Sequence, residues 1–132
     1  MLASLAIRDV VLIERLDLAF GPGLTALTGE TGAGKSILLD SLGLALGGRA
    51  EAGMVRAGQA QAPVAAAFPP PAGHPAFDIL REQGIEPEED LVLRRVVQAD
   101  GRSRAFVNDQ PVGVALLRRL GATLVEVQGQ HD

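Results

Sequence analysis

A chain of 132 residues with 47% apolar and 21% charged side chains is about one domain and can bury a core. Without cysteine it has no disulfide, zinc–thiolate centre or thiol nucleophile, and with four Phe, no Trp and no Tyr it has no aromatic platform for stacking single-stranded bases. A net charge of −4 argues against a broad grip on DNA phosphates by these residues.

Residues 2–8 alternate well enough to predict a strand, and residues 10–20 a second one, bent near Glu14 and Arg15. Arg8, Asp9 and Glu14 interrupt the apolar opening, so a secretory signal is not expected, and no run is long enough to span a membrane. Gly21-Pro22-Gly23 is a turn. Residues 24–28 form a short, near-continuously apolar strand that runs into Gly29, the pattern of a strand buried on both faces. From residue 35 to about 46 the period becomes helical, with Leu38, Leu42, Ala45 and Leu46 on one face, and Gly47-Gly48 stops the helix.

Residues 49–58 read as irregular. Residues 64–68 read as a strand ended by Pro69-Pro70-Pro71, and residues 75–83 as a short helix closed by Gly84. Two strands, 91–97 and 103–107, flank Ala99-Asp100-Gly101-Arg102, where Asp-Gly gives the strongest hairpin signal in the chain. A helix over 112–120 ending at Gly121, then a buried strand over 123–127, complete the prediction. The expected class is α/β, a mixed sheet with antiparallel early and middle strands and a phosphate-binding βα unit at its centre.

That unit carries the chemistry. Gly29, Glu30, Thr31, Gly32, Ala33, Gly34, Lys35 and Ser36 match G-x-x-x-x-G-K-[ST] without departure. Glycines let the backbone wrap tightly and turn successive N–H groups inward as an anion nest. The following helix offers free N–H groups and its positive dipole end to the same phosphates. Lys35 is placed to reach the β- and γ-phosphates, and the Ser36 hydroxyl to ligate Mg²⁺. Eleven of the twelve basic residues are Arg, and the single Lys of the chain is the one in this loop. The bland alternative, a glycine-rich strand-to-helix turn, leaves that coincidence unexplained.

Other signals are weaker. Arg49, after the helix stop, could project toward a nucleotide or toward a partner's nucleotide, or simply be solvated. Arg94, Arg95, Arg102, Arg104, Arg118 and Arg119 could form a basic patch near the hairpin, with surface solvation the favoured reading. Gln128, Gln130, His131 and Asp132 follow the expected last strand, where polar groups reach α/β active sites, and a His beside an Asp raises a general-base reading that spacing alone does not favour.

The opening LASLAIRDVVLIERLDLAFGPGLTALTGETGAGKSILLDSLGLALGGRA, with VRAGQAQAPVAAAF, DGRSRAFVNDQPV and LVEVQGQHD, resembles the N-terminal half of the head of bacterial DNA-repair ATPases in the SMC-like branch of the ABC ATPases. The likeness runs over essentially all 132 residues, and is least distinctive over 51–87. It implies a P-loop NTPase head with ATP and Mg²⁺ as cofactors and Gly29–Ser36 as Walker A. It maps the Q-loop glutamine onto Gln130, which would touch Mg²⁺ and the attacking water, with Gln128 the lesser candidate. Arg49 is the nearest equivalent of an arginine that serves the nucleotide region in such heads. The implied partners are the C-terminal half of the same head, a second protomer in an ATP-dependent head dimer, and DNA. The implied setting is the cytoplasm, at the nucleoid.

One departure bears on catalysis. No Ser-Gly-Gly signature occurs, and no hydrophobic run ends in Asp-Glu. Phosphoryl transfer to water needs a positioned nucleophile and charge compensation at the γ-phosphate. The chain is therefore expected to be half a head that binds ATP and alone hydrolyses little or none. A self-contained P-loop kinase for a small acceptor, and a phosphate-binding module without turnover, are the alternatives.

Overall fold

Alternation along the strands decides which face of the sheet becomes the core. The computed structural model describes residues 4–11, 13–19, 32–70, 72–86 and 90–129. The elements are β1 (Ser4–Val10), β2 (Ile13–Ala19), α1 (Gly32–Ala45), β3 (Gln61–Phe68), α2 (Pro75–Glu82), β4 (Leu91–Gln98), β5 (Ser103–Val107), β6 (Gln110–Val112) and α3 (Val114–Gly129), with a short 3-10 turn at Ala52–Met54. The sheet has six strands in the order β2-β1-β3-β4-β5-β6, and every pairing among the described residues is antiparallel. Residues 24–28, the strand expected to make the sheet mixed, lie outside the described residues.

Leu5 and Ile7 of β1, Ala62, Val64, Ala66 and Phe68 of β3, and Leu91, Leu93 and Val97 of β4 are buried at two-residue spacing. α1 covers this face, touching β1, β3 and β4, while α3 packs on β5 and against α2. The opposite face is more open, and there Arg94 lies over the ring of its cross-strand partner Phe106, 4.2 Å from the centroid.

The predicted hairpin is present. Gly101 takes φ +94°, Asp100 Oδ1 accepts from the Arg102 amide at 2.9 Å, and Gln98 and Arg102 close the turn. The α2 prediction also holds: Pro75 opens the helix behind His74, whose Nδ1 accepts from the Ala76 amide at 3.0 Å, and Gly84 follows it with φ +76°.

Three expectations need correction. The second strand does not begin at residue 10: Asp9 and Val11 take positive φ, and the kink is pinned by Val11 N–H donating to Met54 O and Arg56 N–H donating to Asp9 O. The break therefore falls before Glu14-Arg15, not at it. A third hairpin was not anticipated. Asn108 and Asp109 both take left-handed φ between β5 and β6, and Asn108 Oδ1 accepts from the Val92 amide. Finally, residues 123–127 are helical. Leu117, Leu120 and Leu124 are fully buried at helical spacing, and the Thr123 hydroxyl donates to Leu120 O at 2.7 Å, one turn back. Gly121 does not stop this helix; it lies where α3 meets the residue after α1, and a Cβ there would stand 2.9 Å from Leu46 O.

Candidate nucleotide-binding site

Helical backbone begins at Gly32, so Gly32, Ala33, Gly34, Lys35 and Ser36 form the start of a 14-residue helix. The first amides of a helix have no partner within it, which leaves this end of α1 ready to receive an anion. Gly29, Glu30 and Thr31 lie outside the described residues, as do Gln130, His131 and Asp132. Gln128 lies in the last turn of α3.

α1 is seated firmly. Ser41, Leu44 and Ala45 are buried, and Leu38, Leu42 and Leu46 pack against the core as well. It ends as the double glycine predicts: Gly47 takes φ +96° and donates to Leu44 O, and Gly48 donates to Gly43 O at 2.8 Å, which satisfies two of the last free carbonyls.

Arg49 follows this cap and is exposed. α1 rises about 15 Å over the ten steps from Lys35 to Ala45, and beyond the cap Arg49 lines a hollow with Leu39, Asp40 and Gly43 of the same helix. Arg49 is also grouped with Arg95 and Arg118 around a cavity of about 730 Å³. Of the other arginines, Arg102 pairs with Asp100, Arg119 pairs with Glu82, and Arg104 is exposed, in keeping with solvation. Arg95 is a correction: it is 3% exposed and stands on the core face of β4. Its position in the alternation with Leu91, Leu93 and Val97 was the signal available in the sequence.

A family model described as an AAA domain matches residues 4–70. The chain belongs to the AAA domain family. It is 46% identical to DNA repair protein RecN of Vibrio cholerae over 99% of its own length, and 44% identical to DNA repair protein RecN of Bacillus subtilis over its whole length. It spans about a quarter of the length of these relatives, 24% and 23% respectively. Among solved structures it resembles a chain from a study of ATP-driven dimerization and DNA-stimulated activation of SMC ATPases, with TM-score 0.72, 22% identity, and 92% of this chain and 78% of that one covered. It also resembles an Smc head bound to the C-winged helix domain of ScpA, with TM-score 0.67, 19% identity, and 92% and 40% covered. The resemblance expected from the sequence is borne out, and the fold is that of an SMC-type, P-loop NTPase head.

Proposed function

We propose that the chain is the ATP- and Mg²⁺-binding N-terminal half of a RecN-like ATPase head that acts in DNA double-strand-break repair and recombination. The observation that carries this reading is the G-x-x-x-x-G-K-S segment, whose residues Gly32–Ser36 form the start of α1. The relatives named DNA repair protein RecN support the repair setting, while the choice of ATP and a place in the cytoplasm at the nucleoid rest on the family resemblance, because loop amides and an ammonium group read phosphates and ignore the base.

In this reading Gly29–Gly34 wrap the phosphates and Lys35 neutralises charge on the β- and γ-oxygens, in binding and in the transition state. Ser36 and Gln130 would hold Mg²⁺, and Gln130 would orient the attacking water. The residues present suit a hard cation shared with phosphate oxygens, since hydroxyl and amide oxygens are the ligands Mg²⁺ takes. Arg49 would serve the nucleotide region, either of its own chain or, across an interface, of a partner.

The 132 residues carry neither a Ser-Gly-Gly signature nor a strand ending in Asp-Glu. Turnover therefore requires the C-terminal half of the head and a second protomer. ATP would clamp two composite heads, and hydrolysis would release them, coupling nucleotide state to DNA holding. The test is to mix the chain with a polypeptide that carries the signature and the acidic pair. ATP hydrolysis appearing only in the mixture is the expected result. Phosphorylation of a small acceptor by the chain alone would make it a kinase instead.

A further inference from the structure

Arg95 is the one charged side chain, histidine aside, that is buried among the described residues. All its acceptors are neutral: Nε donates to Ser103 Oγ at 2.9 Å, and Nη1 to Leu44 O at 3.0 Å and Gly48 O at 2.7 Å. A guanidinium has five N–H donors, so these three bonds leave Nη2 without an acceptor among the described residues. Arg118 reaches the same corner from α3, its Nε donating to Gly47 O at 3.2 Å. Burial, and then the charge of Arg118, hold the Arg95 pKa below its ordinary value.

With Arg49 these two arginines line the cavity at the C-terminal end of α1, and no residue lining it is acidic. Asp100, next to the lining Gly101, is engaged by Arg102 at 2.7 Å. An adjoining hollow brings Asp40 and Glu51 near Arg49, yet among the described residues neither forms an ion pair with it. Most other arginines meet carboxylates: Arg8 and Arg15 on Asp17, Arg56 on Asp9, Arg81 on Asp78, Arg119 on Glu82; Arg94 lies over Phe106 and Arg104 is exposed. In a chain of net charge −4, three cations around one acid-free cavity form a local positive field. Holding the end of α1 accounts for two bonds of Arg95 and one of Arg118, and Ser103 of β5 takes the third bond of Arg95. It leaves Arg49, Arg95 Nη2 and the η nitrogens of Arg118 without a partner in the described residues.

We propose that this cavity is an oxyanion site that takes a phosphate group on Arg49, Arg95 and Arg118, separate from the nucleotide loop at the other end of α1. Guanidinium groups suit such a ligand because their paired N–H donors match phosphate oxygens two at a time. A cavity of about 730 Å³ has room for a phosphate carrying a further group, either a small phosphate ester or the backbone of a nucleic acid.

The experiment silences the loop first, by calorimetric titration of the Lys35→Ala protein with inorganic pyrophosphate. Saturable binding is expected, weakened about tenfold by Arg49→Gln and by Arg118→Gln and lost in the double variant. Both residues are exposed, so circular dichroism should show an unchanged fold. Competition by a short DNA duplex would sustain the site and make a nucleic-acid backbone its source of phosphate, whereas no competition would sustain it for a small ester. No pyrophosphate binding, or binding that Arg49→Gln and Arg118→Gln leave unchanged, overturns the proposal. Because Lys35 is absent throughout, this result is independent of whether the loop binds ATP.

Discussion

At the N-terminal end of α1 the residues that would bind phosphate follow one another in the chain, from Gly29 to Ser36. At its C-terminal end Arg49, Arg95 and Arg118 come from a loop, a strand and a helix far apart in sequence and meet only because the sheet and α3 bring them together. The first kind of site is written in a spacing and survives as a motif. The second is written in topology, and its residues look like ordinary surface arginines until the fold places them. One helix thus joins a site legible in sequence to a site that only the fold reveals.

If the C-terminal end is held as described, its variants should rank by what they remove. The largest loss should come from Arg95→Ala, which strips two carbonyls and a hydroxyl of their buried donor and leaves a void. We expect about 4 kcal/mol in urea unfolding, and a cost under about 1 kcal/mol would mean that Arg95 does not fasten α1 to β4. Leu124→Ala, in the part of α3 expected from sequence to be a strand, should cost about 3 kcal/mol because the side chain is fully buried. Gly47→Ala should cost about 2 kcal/mol, since its Cβ would stand 2.7 Å from the Arg118 amide nitrogen at a φ of +96°.

The smallest effect belongs to neither end of α1. A hydrogen bond from Arg8 holds the Asp17 carboxyl below its ordinary pKa. A depressed folded value stabilises above the unfolded value, about 4, and that contribution is lost as pH falls through the folded value. Asp17→Asn should flatten this acid limb of the stability profile slightly and leave ligand binding unchanged. An effect on ligand binding would show that the β1–β2 edge communicates with α1.

Most of the sheet was legible because its strands alternate and its turns use Gly and Asp where positive φ or a side-chain acceptor is needed, as at Asp100-Gly101. β6 was missed because three residues, one of them Pro111, carry no period. The end of α3 was misread because Leu-Val-Glu-Val looks like a strand locally, while Leu117, Leu120 and Leu124 keep helical spacing across Gly121. The loop at Gly29–Ser36 was legible as chemistry. The burial of Arg95 was marked only by its place in the alternation of β4, and its partners were not legible, because Leu44 O and Gly48 O belong to a distant segment and backbone carbonyls leave no mark in a sequence. Gln130 and His131 lie outside the described residues, so the first rests on the resemblance and the second on its place beside Asp132 in the sequence.

The nucleotide site is tested most directly by calorimetric titration of the wild-type protein and its Lys35→Ala variant with ATP and Mg²⁺. Removing the only ammonium group of the loop should weaken binding at least about a hundredfold. Equal affinity for the two proteins would contradict a phosphate site built at the head of α1.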